Sequence, residues 1–300
     1  MAKILVVGSS NTDFVVKMDR FPDLGETILG VDYQIVQGGK GANQAVAAAR
    51  LGGEVTFVCR VGNDGAGRDA FESYRKDGLD LRYARISEHG KTGTAFVMVN
   101  NRGQNLLMVA SGANMDLSRA DIDGAQPAFE AADVVLFQLE NPLDTVIYGI
   151  NKAVSLNKKT ILNPAPAKQL PDSALKGLFS LTPNETEARQ LTGIPVDTVA
   201  DAVKAGGFFL GKGVLHPIIT LGSQGAVWVH ADGHLHVPAP IVHAVDTTAA
   251  GDVFNGALAV AIGEGQSLPD AIGFAIRAAS LSVTRMGAQP SIPRIEEVGK

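Results

Sequence analysis

The sequence predicts an α/β fold: a large three-layer α/β/α body with a mostly parallel central sheet, carrying a small discontinuous β-sheet lid. Three observations lead there. Beyond about residue 116, short apolar runs at 134–139, 160–162, 179–181 and 218–221 alternate with helical stretches at 143–155, 185–191 and 199–209. Such alternation means βαβ crossovers and a parallel sheet covered on both faces. Two earlier stretches, about 13–36 and 92–110, place apolar residues at alternate positions instead, as half-exposed antiparallel strands do. The 34 glycines in 300 residues also exceed the usual ~7% share, and they cluster where strands end and helices begin. Residues 1–300 therefore read as a single unit whose lid is assembled from two separated pieces, rather than as two consecutive domains.

Each element follows in order. Residues 4–7, Ile-Leu-Val-Val, form a buried strand ending at Gly8. The stretch 14–37 lacks a helical period, contains Pro22 and Gly25, and alternates around Ile28, Val31, Tyr33 and Ile35. Gly38-Gly39-Lys40-Gly41 opens a helix over 42–51, closed by Gly52-Gly53. A strand at 55–61 and a helix near 68–76 follow, then a hairpin of 94–100 and 105–110 across Asn101-Arg102-Gly103. A second hairpin, 226–230 and 234–237, turns at Asp232-Gly233, and helices over 250–262 and about 269–283 complete the pattern.

Composition removes several function classes. A net charge of −5 argues against broad binding to nucleic acid or an anionic membrane, which needs a basic face. One cysteine, Cys59, excludes an intramolecular disulfide and any cysteine-based zinc site; it reads as a small buried hydrophobe in a reducing cytoplasm. No apolar run reaches the ~18 residues of a transmembrane helix, and Met1 leads into a strand rather than a signal peptide, so a cytoplasmic protein is expected.

Two common motifs fail on inspection. Gly90-Lys91-Thr92 ends like a P-loop, but Arg85 stands where that loop needs its first glycine, and a β run follows. Residues 65–70, Gly-Ala-Gly-Arg-Asp-Ala, fit a loose dinucleotide pattern away from the first strand. His234 and His236 share a strand face but have no third metal ligand nearby. More specific is Asp246-Thr247-Thr248-Ala249-Ala250-Gly251-Asp252. Its small residues uncover backbone N–H groups at a helix start, where the dipole favours anions, and Asp252 follows in the first turn as a proton acceptor. Donors beside a base are what phosphoryl transfer to a hydroxyl requires; tight packing around a helpful first-turn acid is the bland reading of the same residues. At Thr182-Pro183-Asn184-Glu185-Thr186-Glu187, Asn184 and Glu187 share one helical face and offer oxygen ligands for hydrated Mg²⁺, or form a capping box, and both roles can coexist.

These strings, with Gly38-Gly39-Lys40-Gly41-Ala42-Asn43-Gln44-Ala45 and Leu162-Asn163-Pro164-Ala165-Pro166-Ala167, resemble the ribokinase-like (PfkB) carbohydrate kinases, and the resemblance runs from Gly8 to Ser291. It implies ATP-dependent phosphorylation of D-ribose at its 5-hydroxyl, or of a deoxypentose, another pentose or a nucleoside on the same scaffold. Asn11 weighs for ribose, because the family reads the 2-hydroxyl from that position. By the same resemblance Asp252 is the general base and Ala249, Ala250 and Gly251 supply the anion hole. Asn11, Asp13, Gly39, Lys40, Gly41, Asn43 and Glu140 hold the sugar. Asn184, the run Thr220, Leu221, Gly222, Ser223, Gln224 and Gly225, and Gly251 bind ATP. Glu187 organises Mg²⁺ through water; Asp246, Thr248, Ser282, Arg285, Gly287 and Ser291 surround an activating K⁺. The lid covers the sugar and pairs two subunits into a homodimer. No adenine contact is assigned, and Arg277 reads as a solvated helix charge. A non-catalytic sugar-binding protein of this fold is disfavoured by the retention of Asp252, Asn184 and Glu187.

Overall fold

The computed structural model describes residues 1–102 and 104–299. Its large sheet has eight strands in the order Gly233–Val237, Ala226–His230, His216–Thr220, Ser180–Leu181, Lys159–Leu162, Val134–Phe137, Lys3–Val7 and Glu54–Val58. Every pairing from His216–Thr220 to Glu54–Val58 is parallel; the two hairpin strands at the other edge are antiparallel. Alternate strand residues enter different cores. Ile4, Val6, Val134 and Leu136 pack on one face against helices Lys40–Arg50, Ala250–Gly263 and Leu268–Ser282. Leu5, Val7, Val135 and Phe137 pack on the other against Leu143–Ser155 and Val199–Gly211. A sheet buried on both faces makes three layers, and each fully buried aliphatic or aromatic side chain contributes ~1.5–3 kcal/mol.

A second sheet has four strands in the order Asp32–Gly38, Asn11–Lys17, Gly93–Val99 and Asn105–Ala110. The middle pair is parallel and the outer pairs antiparallel, so the two stretches separated in sequence do form one small sheet. Gly103, which the sequence places in the hairpin turn, lies outside the described residues. Helices over Leu143–Ser155, Glu185–Thr192 and Ala250–Gly263 match expectation to within a residue or so.

One expected strand is divided. The run 55–61 stays in the large sheet only as Glu54–Val58; Arg60–Gly62 pairs with Arg85–Ser87 in a separate two-stranded sheet. The neighbouring strand ends at Val7, opposite Val58, so the chain beyond has no partner there and finds one elsewhere.

Two helices cross unusually closely. A Cβ on Gly256 would lie 2.8 Å from the Gln44 carbonyl and 2.7 Å from Ala47 Cβ, so glycine is what lets Ala250–Gly263 approach Lys40–Arg50.

Candidate active site

The loops leaving the carboxyl ends of the parallel strands converge on one crevice, the usual ligand position in such sheets. Strand Lys3–Val7 delivers Ser9, Ser10 and Asn11; Val134–Phe137 delivers Gln138 and Glu140; Lys159–Leu162 delivers Asn163; Ser180–Leu181 delivers Asn184.

The wall built by residues 38–44 depends on glycine. Gly39 has φ +87°, and a Cβ there would lie 2.7 Å from the Asn11 nitrogen. A Cβ on Gly41 would strike the backbone of Gly8, 2.6 Å away. Helix Lys40–Arg50 can therefore start against the first strand's loop, where the Lys40 N–H donates to Glu140 Oε2 (3.0 Å) and the Ser9 hydroxyl donates to the same oxygen (2.5 Å). Asn11 is buried, its Oδ1 accepting from Asn114 Nδ2 at 2.7 Å, while the Ser10 N–H donates to Asn114 Oδ1 at 2.8 Å.

Asp252 sits at the centre, buried at 6% exposure in the first turn of Ala250–Gly263. Asn43 Nδ2 donates to its Oδ2 and Gln44 Nε2 to its Oδ1, each at 3.0 Å. Burial raises the pKa of this carboxyl, opposed by the Lys40 ammonium and by the donors on Asn43 and Gln44, and Glu140 pushes the same way as burial. Burial also lifts Asp13, helped by the charges of Glu140 and Asp252, to about 7. Lys40 feels the converse: burial acts to lower its pKa, yet Asp252, Glu140 and Glu187 together raise it. The basic side chain and four carboxylates thus share one electrostatic site. Asp13 Oδ1, Asn43 Oδ1, Gln138 Oε1 and Asn141 Oδ1 are buried with no protein partner. Unsatisfied buried acceptors are costly, and a hydroxyl donor reaching any of them would remove that cost.

Beside Asp252 the surface is open. Gly251 is exposed, and a Cβ on it would meet nothing within 4 Å. Ala249 caps the helix at φ +62°, a conformation non-glycine residues seldom adopt and one that aims backbone N–H groups outward. The Ala250 N–H leans on the Thr247 carbonyl at 3.3 Å; the amides of Ala249 and Gly251 have no such partner among the described residues. Asn184 and Thr220 form a bridge, which puts loop 182–187 beside loop 220–225. Gly222 and Gly225 both have positive φ, and His236 donates from its ring to the Gln224 carbonyl at 2.7 Å.

Asn184 and Glu187 form the full capping box: the Glu187 N–H donates to Asn184 Oδ1 (2.8 Å) and the Asn184 N–H to Glu187 Oε2 (2.9 Å). The second Glu187 oxygen is left over, so the cap and a water-mediated metal contact are compatible. Burial raises the Glu187 pKa against the opposing Asn184 N–H and Lys40.

Of the residues expected around a monovalent cation, Asp246, Thr248 and Gly287 are joined directly. Asp246 accepts from the Thr248 N–H and hydroxyl and from the Gly287 N–H, at 2.9, 2.7 and 2.9 Å. Although burial opposes it, these donors lower the Asp246 pKa. The carbonyls of Thr248, Arg285 and Gly287 accept no hydrogen bond among the described residues, a hard-oxygen set suited to K⁺. The Ser282 carbonyl takes the Arg285 N–H (3.0 Å), the Ser291 hydroxyl donates to Ala288, and the Arg285 guanidinium turns away to Glu297.

Sequence reasoning assigned no role to Gln44, Asn114 or Gln138, which hold the assigned residues in place. Gln44 lies inside the 38–45 string, among alanines on a helix side that faces the core, whereas Asn114 and Gln138 stand in none of the quoted strings.

The family model described as pfkB family carbohydrate kinase matches residues 1–295, and the chain belongs to that family. It is 42% identical over 295 residues to a ribokinase of Haemophilus influenzae, covering 98% of this chain and 96% of that one. It is 36% identical over 295 residues to a deoxyribokinase of Salmonella typhi, covering 98% and 96%. The structure of Arabidopsis thaliana ribokinase complexed with ribose and ATP superposes with a TM-score of 0.91 at 35% identity, covering 99% of this chain and 98% of that one.

Proposed function

We propose that this protein is a ribokinase, transferring the γ-phosphoryl group of ATP to the 5-hydroxyl of D-ribose to give ribose 5-phosphate and ADP. The observation that carries this is the position of Asp252. It is a buried carboxylate between unsatisfied hydroxyl-binding groups and a helix start with open amides. In this reading Asn11, Asp13, Asn43, Glu140 and the 39–41 backbone hold the sugar. Asp252 takes the 5-hydroxyl proton as the oxygen attacks the γ-phosphorus in line, and the amides of Ala249, Ala250 and Gly251 receive the developing negative charge. Asn184 and residues 220–225 hold the nucleotide. Glu187, through water, would hold the Mg²⁺ that accompanies ATP, and the ion would neutralise charge at the phosphates. K⁺ among Asp246, Thr248, Ser282, Arg285, Gly287 and Ser291 would stiffen the loop that presents the amides.

The small sheet, about 13–36 and 92–110, serves as a lid over the sugar within one catalytic unit, and its apolar outer face pairs two chains into a homodimer. Exclusion of water by such a lid protects ATP from hydrolysis. No helix among the described residues is long and apolar enough to cross a membrane; the fully buried thiol of Cys59 fits the cytoplasm we assign.

Ribose is favoured over 2-deoxyribose because Asn11 is fixed by Asn114 at the position that reads the 2-hydroxyl. An ADP-release assay over ribose, 2-deoxyribose, hexoses and nucleosides tests this: kcat/KM should be highest for ribose and should rise with KCl but not with NaCl at equal ionic strength. An equal or better value for 2-deoxyribose overturns the substrate, and a flat response to KCl removes the cation.

A further inference from the structure

A chain of buried carboxamides runs behind the site. Gln138 Nε2 donates to Gln44 Oε1 at 2.7 Å. Gln44 Nε2 uses both its hydrogens, one to Asp252 Oδ1 (3.0 Å) and one to Asn163 Oδ1 (3.1 Å). Asn163 Nδ2 in turn donates to the Thr182 carbonyl at 3.2 Å, and the Thr182 hydroxyl donates to Asn255 Oδ1 at 2.7 Å. Asn255 Nδ2 returns to the Gly251 carbonyl at 2.8 Å. Gln44 is fully buried, and its amide can adopt only one orientation, because a flip would set acceptor against acceptor at Asp252 and Asn163.

We propose that Gln44 is a positioning residue for the reaction, aiming the Asp252 carboxylate at the sugar and keeping it ionised. This rests on Asp252 being the base. Asp252 shares its two oxygens between unequal donors. Asn43 has an unpaired Oδ1, whereas Gln44 is tied through Oε1 to Gln138 and through Nε2 to Asn163. Oδ1 is therefore the anchored oxygen, and Oδ2 the one free to trade its Asn43 contact for a substrate hydroxyl. The close crossing at Gly256 fixes the backbone of Gln44 against the helix that carries Asp252. A donor to the charged form of a carboxylate favours that form, so Gln44 also offsets the desolvation of Asp252.

The test is Gln44→Met, which keeps length and removes both donors, read beside Asp252→Asn in the full-length enzyme. Expected is a fall in kcat of about 10–100-fold with the sugar KM within about threefold. The acid limb of the kcat/KM profile should also move to higher pH. An unmoved acid limb with kcat within twofold of the parent, beside an inert Asp252→Asn, overturns the role of Gln44 alone. Turnover surviving in Asp252→Asn overturns the base assignment and this inference with it. Should Gln44→Met fail to fold, Gln138→Met, which frees Gln44 Oε1, decides: a smaller shift of the acid limb in the same direction supports the proposal, and no shift refutes it.

Discussion

The two sheets of this molecule treat their apolar residues in opposite ways. In the large sheet both faces are covered, and strands such as Val134–Phe137 are buried at every position. In the small sheet one face stays bare: Tyr33 is 67% exposed, Ile35 55% and Met108 53%, with Phe96 and Leu106 also exposed. The stacked rings of Phe14 and Phe96, 5.7 Å apart, pack against one another on that face. The two central acids divide the same way. Asp252, carried by a helix of the large body, already accepts two hydrogen bonds and feels Lys40. Asp13, on the small sheet, has a buried oxygen with no partner. The difference teaches that the carboxylate on the large body is already held in the free protein, whereas the one on the small sheet is left for what binds to complete.

The sharpest way to break this contrast is Asp252→Asn. It keeps the shape and removes the base, so kcat should fall about 10²–10⁴-fold in a coupled assay, with the thermal midpoint little changed. Turnover near the parent value would mean that the held carboxylate is scaffolding only. The next effect concerns the bare face. Phe96→Asp puts a charge in the centre of the surface assigned to pairing and should weaken self-association by roughly 30-fold or more in sedimentation. A parent protein that sediments as a monomer at micromolar concentration removes the homodimer altogether.

The smallest effect is on stability. Asp13 keeps its proton up to about 7 in the folded chain, far above the ordinary aspartate value of about 4 that holds when unfolded. Rising pH therefore strips the unfolded chain first, and the folded state loses stability progressively between about pH 4 and 7 and does not regain it above. Asp13→Asn escapes that loss. Its melting temperature should exceed the parent's by roughly 2–6 °C at pH 8, and by less at pH 5. An advantage that is equal at both pH values would show that the Asp13 carboxyl is not held protonated by burial.

Much of this architecture was readable from residue pattern. Helix Leu143–Ser155 and the second hairpin fall where periodicity and turn residues put them, because local propensity and burial agree there. The break after Val58 was not readable, since Val55 to Val61 is uniformly strand-like and only the length of a strand remote in sequence decides where pairing stops. The same holds for the site. Asp252, Asn184 and Glu187 stand in dense motifs at helix starts, where chemistry leaves a local trace. Gln44 lies in such a motif too, but its partner Gln138 and Asn11's partner Asn114 stand about a hundred residues away, and a single carboxamide announces no partner.

The glycines at the base of the small sheet hold a negative image of the sugar subsite. A methyl group on Gly38 would coincide with the Asp13 carboxylate, one on Gly93 with the carboxamides of Asn11 and Asn114, and one on Gly8 with the Gln138 side chain. Each functional group occupies the space that a neighbour's missing side chain vacates. Alanine placed at these three positions, one at a time, would therefore displace a different polar group in each case, and so chart the subsite from its outside before any ligand is added.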